Sequence, residues 1–133
     1  MTYAKLMILS FVAVMLFWGG WADAHHSFAA TYVESETVTI EGKMVQFSFR
    51  NPHSFVQVEV TDENGETVRW AVEWAGTAQL RNTGVENDTL RYGDQVVITG
   101  NPGRNPRDHR LRMQTVSRPD GFSWGTREGE EVD

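Results

Sequence analysis

The sequence predicts an all-β domain: a small five-stranded barrel carrying one short helix between strands 3 and 4. Three observations lead there. Apolar residues alternate with polar ones in five short runs between Val38 and Ser117, the period of half-buried strands. Helix signals occur in one place, Thr77 to Asn82, after the third of those runs. The first run changes parity near Gly42, as a strand does when it bulges or bends to serve two sheet faces. Three strands, a helix and two strands is the order of the oligonucleotide/oligosaccharide-binding (OB-like) barrel. A β-sandwich of similar size needs about seven strands.

Each element has its own residues. In strand 1, Val38 and Ile40 share one parity and Val45, Phe47 and Phe49 the other, which puts the expected bulge at Gly42. Arg50-Asn51-Pro52-His53 is a turn, with Asn and Pro supplying its chemistry. In strand 2, Val56, Val58 and Val60 face inward and Gln57 and Glu59 outward. Asp62-Glu63-Asn64-Gly65 closes a hairpin, with Asn-Gly offering the positive φ angles of a tight turn. Strand 3 runs from Thr67 to Trp74 with Val68, Trp70, Val72 and Trp74 on its inner face. Glu73 has the opposite parity and reads as a solvent-facing strand residue, with a carboxylate at the barrel mouth as the alternative. Thr77 is expected to N-cap the helix and Gly84 to stop it. Tyr92-Gly93-Asp94 turns the chain into strand 4, Gln95 to Gly100, with Val96 and Ile98 inside. Asn101 to Asp108 is a polar loop, Leu111 to Ser117 is strand 5, and Pro119-Asp120-Gly121 closes it. The alternating aromatics Phe47, Phe49, Trp70 and Trp74 read as core rather than as a sugar-stacking platform.

The ends of the chain have a different character. Lys5 precedes an apolar run from Leu6 to Trp18, interrupted only by Ser10, and Ala22-Asp23-Ala24 forms a small-residue A-x-A site. That layout is a secretory signal peptide, and the run is shorter than the ~20 apolar residues of a spanning helix. The expected organisation is therefore a signal peptide over 1–24, an N-terminal arm over 25–37, a barrel over 38–121 and an acidic tail over 122–133. The arm is expected to be extended, docked by Phe28 and Tyr32. The protein is expected to be periplasmic or secreted, with no membrane attachment after the leader is cut.

Composition narrows the function classes. The net charge is −6, and the leader removes one Lys and one Asp, which leaves it unchanged. Nucleic acid is a poor partner for such a chain, because its binding depends on neutralising phosphates with Lys and Arg. Arg104, Arg107, Arg110 and Arg112 do cluster locally, and they read as a solvated loop and strand edge. There is no cysteine, so neither a disulfide framework nor a thiolate ligand exists. No nucleophile elbow and no phosphate-binding loop is present, which leaves little support for an enzyme.

The histidines carry what chemistry the sequence offers. Cleavage after Ala24 makes His25 the mature N-terminus, so its α-amine and imidazole are both metal donors. The amine, with a pKa of about 7.7–8.0, yields its proton to a metal near neutral pH. One further imidazole completes a three-nitrogen set, which suits Cu(II) over Mg or Ca. His53 is the natural third ligand, and His26 a possible addition. The plainer readings are a mobile arm for His25 and His26 and a turn-capping side chain for His53. His109, among arginines in a polar loop, reads as a surface residue.

Ala-His-His-Ser-Phe at the leader junction, Asn-Pro-His in the first hairpin and Tyr-Gly-Asp-Gln-Val before strand 4 resemble a set of small exported bacterial proteins of unknown function. The resemblance spans about residues 25–121 and implies a single small β-barrel with His25, His26 and His53 at motif positions. It implies no activity. A terminal histidine with a second histidine also resembles the ligand set of histidine-brace copper proteins, which include oxidative polysaccharide monooxygenases and copper carriers.

Three functional readings follow. The first is an exported binding module holding Cu(II) at His25, His26 and His53. The second is a metal-free barrel that recognises a peptide, a saccharide or a periplasmic protein partner, in which Trp70 or Trp74 is exposed. The third, ranked last, is a copper oxidase.

Overall fold

Strand β1 (Val38–Ser48) is the element around which the barrel closes. Its first half pairs antiparallel with β4 (Gln95–Pro102), from Val38↔Gly100 to Lys43↔Gln95. Its second half pairs antiparallel with β2 (Phe55–Thr61), from Lys43↔Glu59 to Ser48↔Phe55. β2 pairs along its length with β3 (Thr67–Glu73), and β3 runs parallel to the start of β5 (Arg110–Ser117). β5 then returns antiparallel to β4. The circuit β1-β2-β3-β5-β4-β1 is a closed five-stranded barrel, and the helix α1 (Thr77–Asn82) falls between β3 and β4 as the sequence predicts. A 3-10 turn (Pro106–Asp108) precedes β5, and a short β6 (Ser123–Trp124) pairs with the far end of β5.

This computed structural model describes residues 28–125. The chain divides into two compact units, Met1–Thr31 and Tyr32–Asp133. Of the first, residues 28–31 are described; they are helical, where the sequence predicts an extended arm. The barrel is the second unit.

The core is built from the inward positions of all five strands. Ile40, Met44, Val56, Val58, Val72, Val96, Ile98, Leu111 and Val116 are all buried, joined by Leu80, Val85 and Leu90 from α1 and the chain after it. Each such Val, Leu or Ile contributes about 1.5–3 kcal/mol by leaving water. α1 ends as the sequence predicts. Gly84 adopts φ +82, its N–H reaches Arg81 O at 3.0 Å, and Val85 N–H reaches Leu80 O at 2.9 Å. This is a Schellman closure whose flanking residues, Leu80 and Val85, are both in the core.

The parity change in β1 is real but displaced. The register breaks between Met44 and Gln46, so Val45 is the extra residue and Met44, on the parity of Ile40, is core. Gly42 has a different task. A Cβ there would lie 2.2 Å from the backbone oxygen of Glu59, so only glycine allows β2 to come this close as β1 passes from one partner to the other. In the first hairpin Gly65 has φ +82, and among the described non-glycine residues only His109 has positive φ. Asp62 Oδ1 accepts from the N–H of Asn64 and of Glu66, each at 2.9 Å. The loop is therefore a three-residue turn with one left-handed glycine, not a two-residue Asn-Gly turn.

Three other boundaries shift. Gly76, not Thr77, is the N-cap residue of α1, and the cap bond comes from outside the helix, as described below. β4 and β5 extend to Pro102 and back to Arg110, past their expected ends. The fold also continues beyond residue 121. Trp124 stacks edge-on against Trp74 with centroids 5.0 Å apart, and its indole N–H donates to Thr83 Oγ1 at 2.8 Å. Residues 126–133, most of the expected acidic tail, lie outside the described residues.

Because the clash at Gly42 is with backbone rather than a movable side chain, Gly42→Ala is expected to destabilise the barrel by about 1–3 kcal/mol. Chemical denaturation checks this; an unchanged midpoint is incompatible with the close crossing.

Candidate functional site

The loop joining β1 to β2 is held from two sides, and that determines how His53 is presented. Ser54, fully buried, accepts from Arg50 N–H at 3.1 Å and donates to Arg50 O at 3.2 Å, closing the loop on itself. Asn51 reaches the start of α1, where its Oδ1 accepts from Thr77 N–H at 3.0 Å and from Thr77 Oγ1 at 3.1 Å. A side chain from another loop thus supplies the missing cap of the helix. Gly76 lies so close that a Cβ on it would be 2.6 Å from Pro52 O. The Asn51–Pro52 peptide is cis. Backbone bonds from Ser54 N to Ala75 O at 3.1 Å and from Trp74 N to Ser54 O at 2.8 Å then carry the β2–β3 ladder past the strand ends.

Next to that ladder lies Glu73, the last residue of β3, which is 8 % exposed. This overturns its reading as a solvent-facing strand residue. His53 Nδ1 donates to Glu73 Oε1 at 2.5 Å, and the Tyr32 hydroxyl donates to Glu73 Oε2 at 2.5 Å. The Arg110 guanidinium stands 3.6 Å from Oε2 and 5.8 Å from the centre of the Tyr32 ring. Both carboxyl oxygens therefore accept from a donor, with a cation beside one of them. A buried carboxyl needs such compensation, because its transfer from water otherwise costs several kcal/mol.

One of these partners comes from strand register, one from the β1–β2 loop and one from the segment preceding β1. The parallel β3–β5 pairing sets Ala71 beside Arg110 and Glu73 beside Arg112. Tyr32 forms an isolated antiparallel bridge with Gly103, and Val33 N–H donates to Pro102 O at 2.9 Å. Asn101, buried, donates to Glu34 O at 3.2 Å and Glu36 O at 2.8 Å, and Arg112 pairs with Glu34 at 3.2 Å. Tyr32 is completely buried and anchors this segment as the sequence predicts. Burial first, and then donation to Glu73, pushes its phenol above the usual tyrosine range. The basic cluster is thus only partly a solvated edge: Arg110 and Arg112 are engaged in ion pairs.

The other expected site residues are placed differently. His109 caps the 3-10 turn with φ 44 and sets its ring edge-on to Trp70, centroids 5.3 Å apart. Trp74 is buried in the core and Trp70 is partly buried against it, so neither is the exposed aromatic that a metal-free recognition face was expected to show. His25, His26 and the expected cleavage site lie outside the described residues. Among the described residues, no three His, Asp or Glu side chains gather as a metal site, and no helix is long and apolar enough to cross a membrane. His53 is the expected ligand that the described residues contain. Sequence reasoning carried Glu73 only as an alternative, a carboxylate at the barrel mouth, and missed Arg110 as its partner; the signal lies in the β3–β5 register, which periodicity does not reveal.

Against known sequences, residues 14–112, about three quarters of the chain, match the family described as "Family of unknown function (DUF6152)". The chain belongs to the DUF6152 family. The match takes in His25, His26, Tyr32, His53, Glu73 and Arg110. A search of curated proteins finds no match. DUF6152 membership agrees with the uncharacterised family that the sequence resembles and assigns no chemistry, so function rests on the site itself.

Two outcomes test the site as described. Tyr32→Phe removes one donor from a buried carboxyl and is expected to cost about 1–3 kcal/mol in denaturant unfolding. The second concerns alkaline pH. The folded state raises the phenol's pKa, so this group's stabilisation is complete below its unfolded value of about 10 and is lost as pH rises beyond it. The wild-type unfolding midpoint should therefore fall above that pH by more than the Tyr32→Phe midpoint does; parallel curves would contradict the buried phenol.

Proposed function

We propose that this protein is an exported binding module that holds Cu(II) through His25, as the mature N-terminal residue, together with His26 and His53. The observation that carries the reading is the bond from His53 Nδ1–H to Glu73. Metal-bound histidines characteristically give their second ring N–H to a carboxylate, which fixes the tautomer, orients the ring and raises the basicity of the ligating nitrogen. With the proton on Nδ1, a neutral imidazole carries its lone pair on Nε2. A histidine whose only task is to cap a turn needs no buried, three-partner carboxyl behind it.

Chain connectivity supports a second ligand from the N-terminus. Tyr32 is docked on the same carboxyl, and His25 precedes it by seven residues. Seven residues fully extended span at most about 25 Å, which bounds how far along the chain His25 can lie from Tyr32. An amine and an imidazole from one residue close a chelate ring, and His53 completes a nitrogen set suited to tetragonal Cu(II). With no cysteine in the chain, a metal site here draws on His, carboxylate, Met or backbone groups and not on thiolate. The metal-free reading is weaker, since it called for an exposed Trp70 or Trp74 and both are packed on the core.

The test is intact mass of the exported protein, alone and after Cu(II) titration under native conditions. A chain beginning at His25 that retains one copper, and loses it in His53→Ala, is the expected result. A different N-terminus, or copper held equally well by His53→Ala, refutes the proposal.

A further inference from the structure

We infer that Asn64 is a site of spontaneous covalent modification: its side-chain amide is lost by ring closure onto the Gly65 nitrogen, at a rate gated by the turn that holds that nitrogen. The chain has six asparagines. Asn51, Asn101 and Asn105 each precede proline, whose nitrogen bears no hydrogen to give up. Asn82 and Asn87 precede Thr83 and Asp88, whose side chains crowd the approach to the backbone nitrogen. Asn64 alone precedes glycine, where the missing Cβ leaves the nitrogen open to the neighbouring side chain. The structure leaves that side chain unencumbered. Residues 61–67 are all exposed, and although the Asn64 backbone N–H is held by Asp62, its carboxamide bonds to none of the described residues.

The reaction needs water and no cofactor. The Gly65 nitrogen gives its proton to hydroxide and attacks Asn64 Cγ. The bond from Cγ to the side-chain nitrogen breaks, ammonia leaves with a proton from water, and a five-membered imide closes. A water molecule then opens the ring. Cleavage of the new Cγ–N bond restores the normal chain with an aspartate side chain, whereas cleavage at the main-chain carbonyl leaves the chain running through Cγ as isoaspartate. The turn sets the pace. Gly65 N–H donates to Asp62 O at 3.0 Å, and Asp62 Oδ1 also holds the N–H groups of Asn64 and Glu66. The nucleophile is therefore released only when this turn opens locally. The isoaspartate product adds a backbone carbon between residues 64 and 65, inside the span that these bonds close, so they lose their register. Either product also adds a carboxylate to a tip that already carries Asp62, Glu63 and Glu66. The damage stays local: residues 67–70 of β3 pair with β2, and β5 joins β3 from Ala71 onward. Glu73 lies at the opposite end of β3.

The experiment incubates the purified protein in mildly alkaline buffer, folded and in denaturant, and follows each asparagine by peptide mapping with an isoaspartate-specific assay. Aspartate and isoaspartate are expected first at residue 64, faster in denaturant than in the folded protein, and absent there in Asn64→Gln. Asp62→Ala removes the side-chain acceptor that braces the turn, and is expected to speed the folded-state reaction by about 2–10-fold, as the loss of one such bond predicts. Amide hydrogen exchange in the modified protein should rise at Glu66 and Thr67 and stay unchanged around Glu73. An Asn64 that stays intact in the folded protein, or reacts after another asparagine, overturns the site. Equal rates in the folded and denatured protein overturn the gate, as does an Asp62→Ala rate equal to wild type. If Asp62→Ala fails to fold, the comparison of folded with denatured wild type still decides.

Discussion

Burying the carboxyl group of Glu73 imposes a requirement that much of the surrounding structure exists to meet. An ionisable group taken out of water is tolerated when donors and a countercharge replace its hydration. Here they come from separate parts of the chain: Tyr32 ahead of β1, His53 in the β1–β2 loop and Arg110 at the start of β5. One side chain therefore joins the N-terminal segment, a loop and two strands. It also couples two things that the chain could have kept apart, the docking of the segment that leads into the barrel and the orientation of a histidine ring. Loss of any partner leaves the others facing a buried group that is short of a donor, so the cluster behaves as a unit rather than as three independent bonds.

That arrangement depends on how the barrel closes. β1 must hand over from β4 to β2 within a residue, at Lys43, which pairs with both Gln95 and Glu59. Gly42 permits the close approach, and Gly100 repeats it across the β4–β5 ladder, where a Cβ would meet Arg112 O at 2.2 Å. Only once the circuit is closed do β3 and β5 lie side by side, and only then does Arg110 come to face Glu73. The β1–β2 loop is in turn braced by its own Ser54 and by the first residue of α1. The helix that stands between β3 and β4 in sequence thus helps present His53, and Leu80 on its buried side ties it to the core.

The alternation of Val56 and Val58, of Val96 and Ile98, and of Val72 and Trp74 identified the inner faces of β2, β4 and β3 without ambiguity, because each sits on a regular ladder. The same reasoning grouped Val45 with Phe47 and Phe49 by parity and put the break at Gly42. Val45 is instead the extra residue of a bulge, and Met44 takes the core position. Periodicity assumes an unbroken ladder and shifts by one residue where the ladder breaks. Glu73 was misread for a related reason. Its parity does point out of the barrel, but outward means solvent only if nothing covers that face, and Tyr32 with its neighbours does. Coverage by a distant segment leaves no trace in local alternation.

Composition, period and turn chemistry determined the five-stranded barrel, the place of its helix and its glycine-closed end, and the choice of His53 as the residue to watch. These are local properties: a two-residue alternation, a residue type able to adopt a left-handed backbone, a proline in a turn. The environment of His53 was decided by the tertiary structure alone. It depends on a parallel strand pairing between residues nearly forty positions apart, and on a tyrosine some forty positions before Glu73. The sequence supplied the donors and the acceptor, and chain closure brought them within hydrogen-bonding distance.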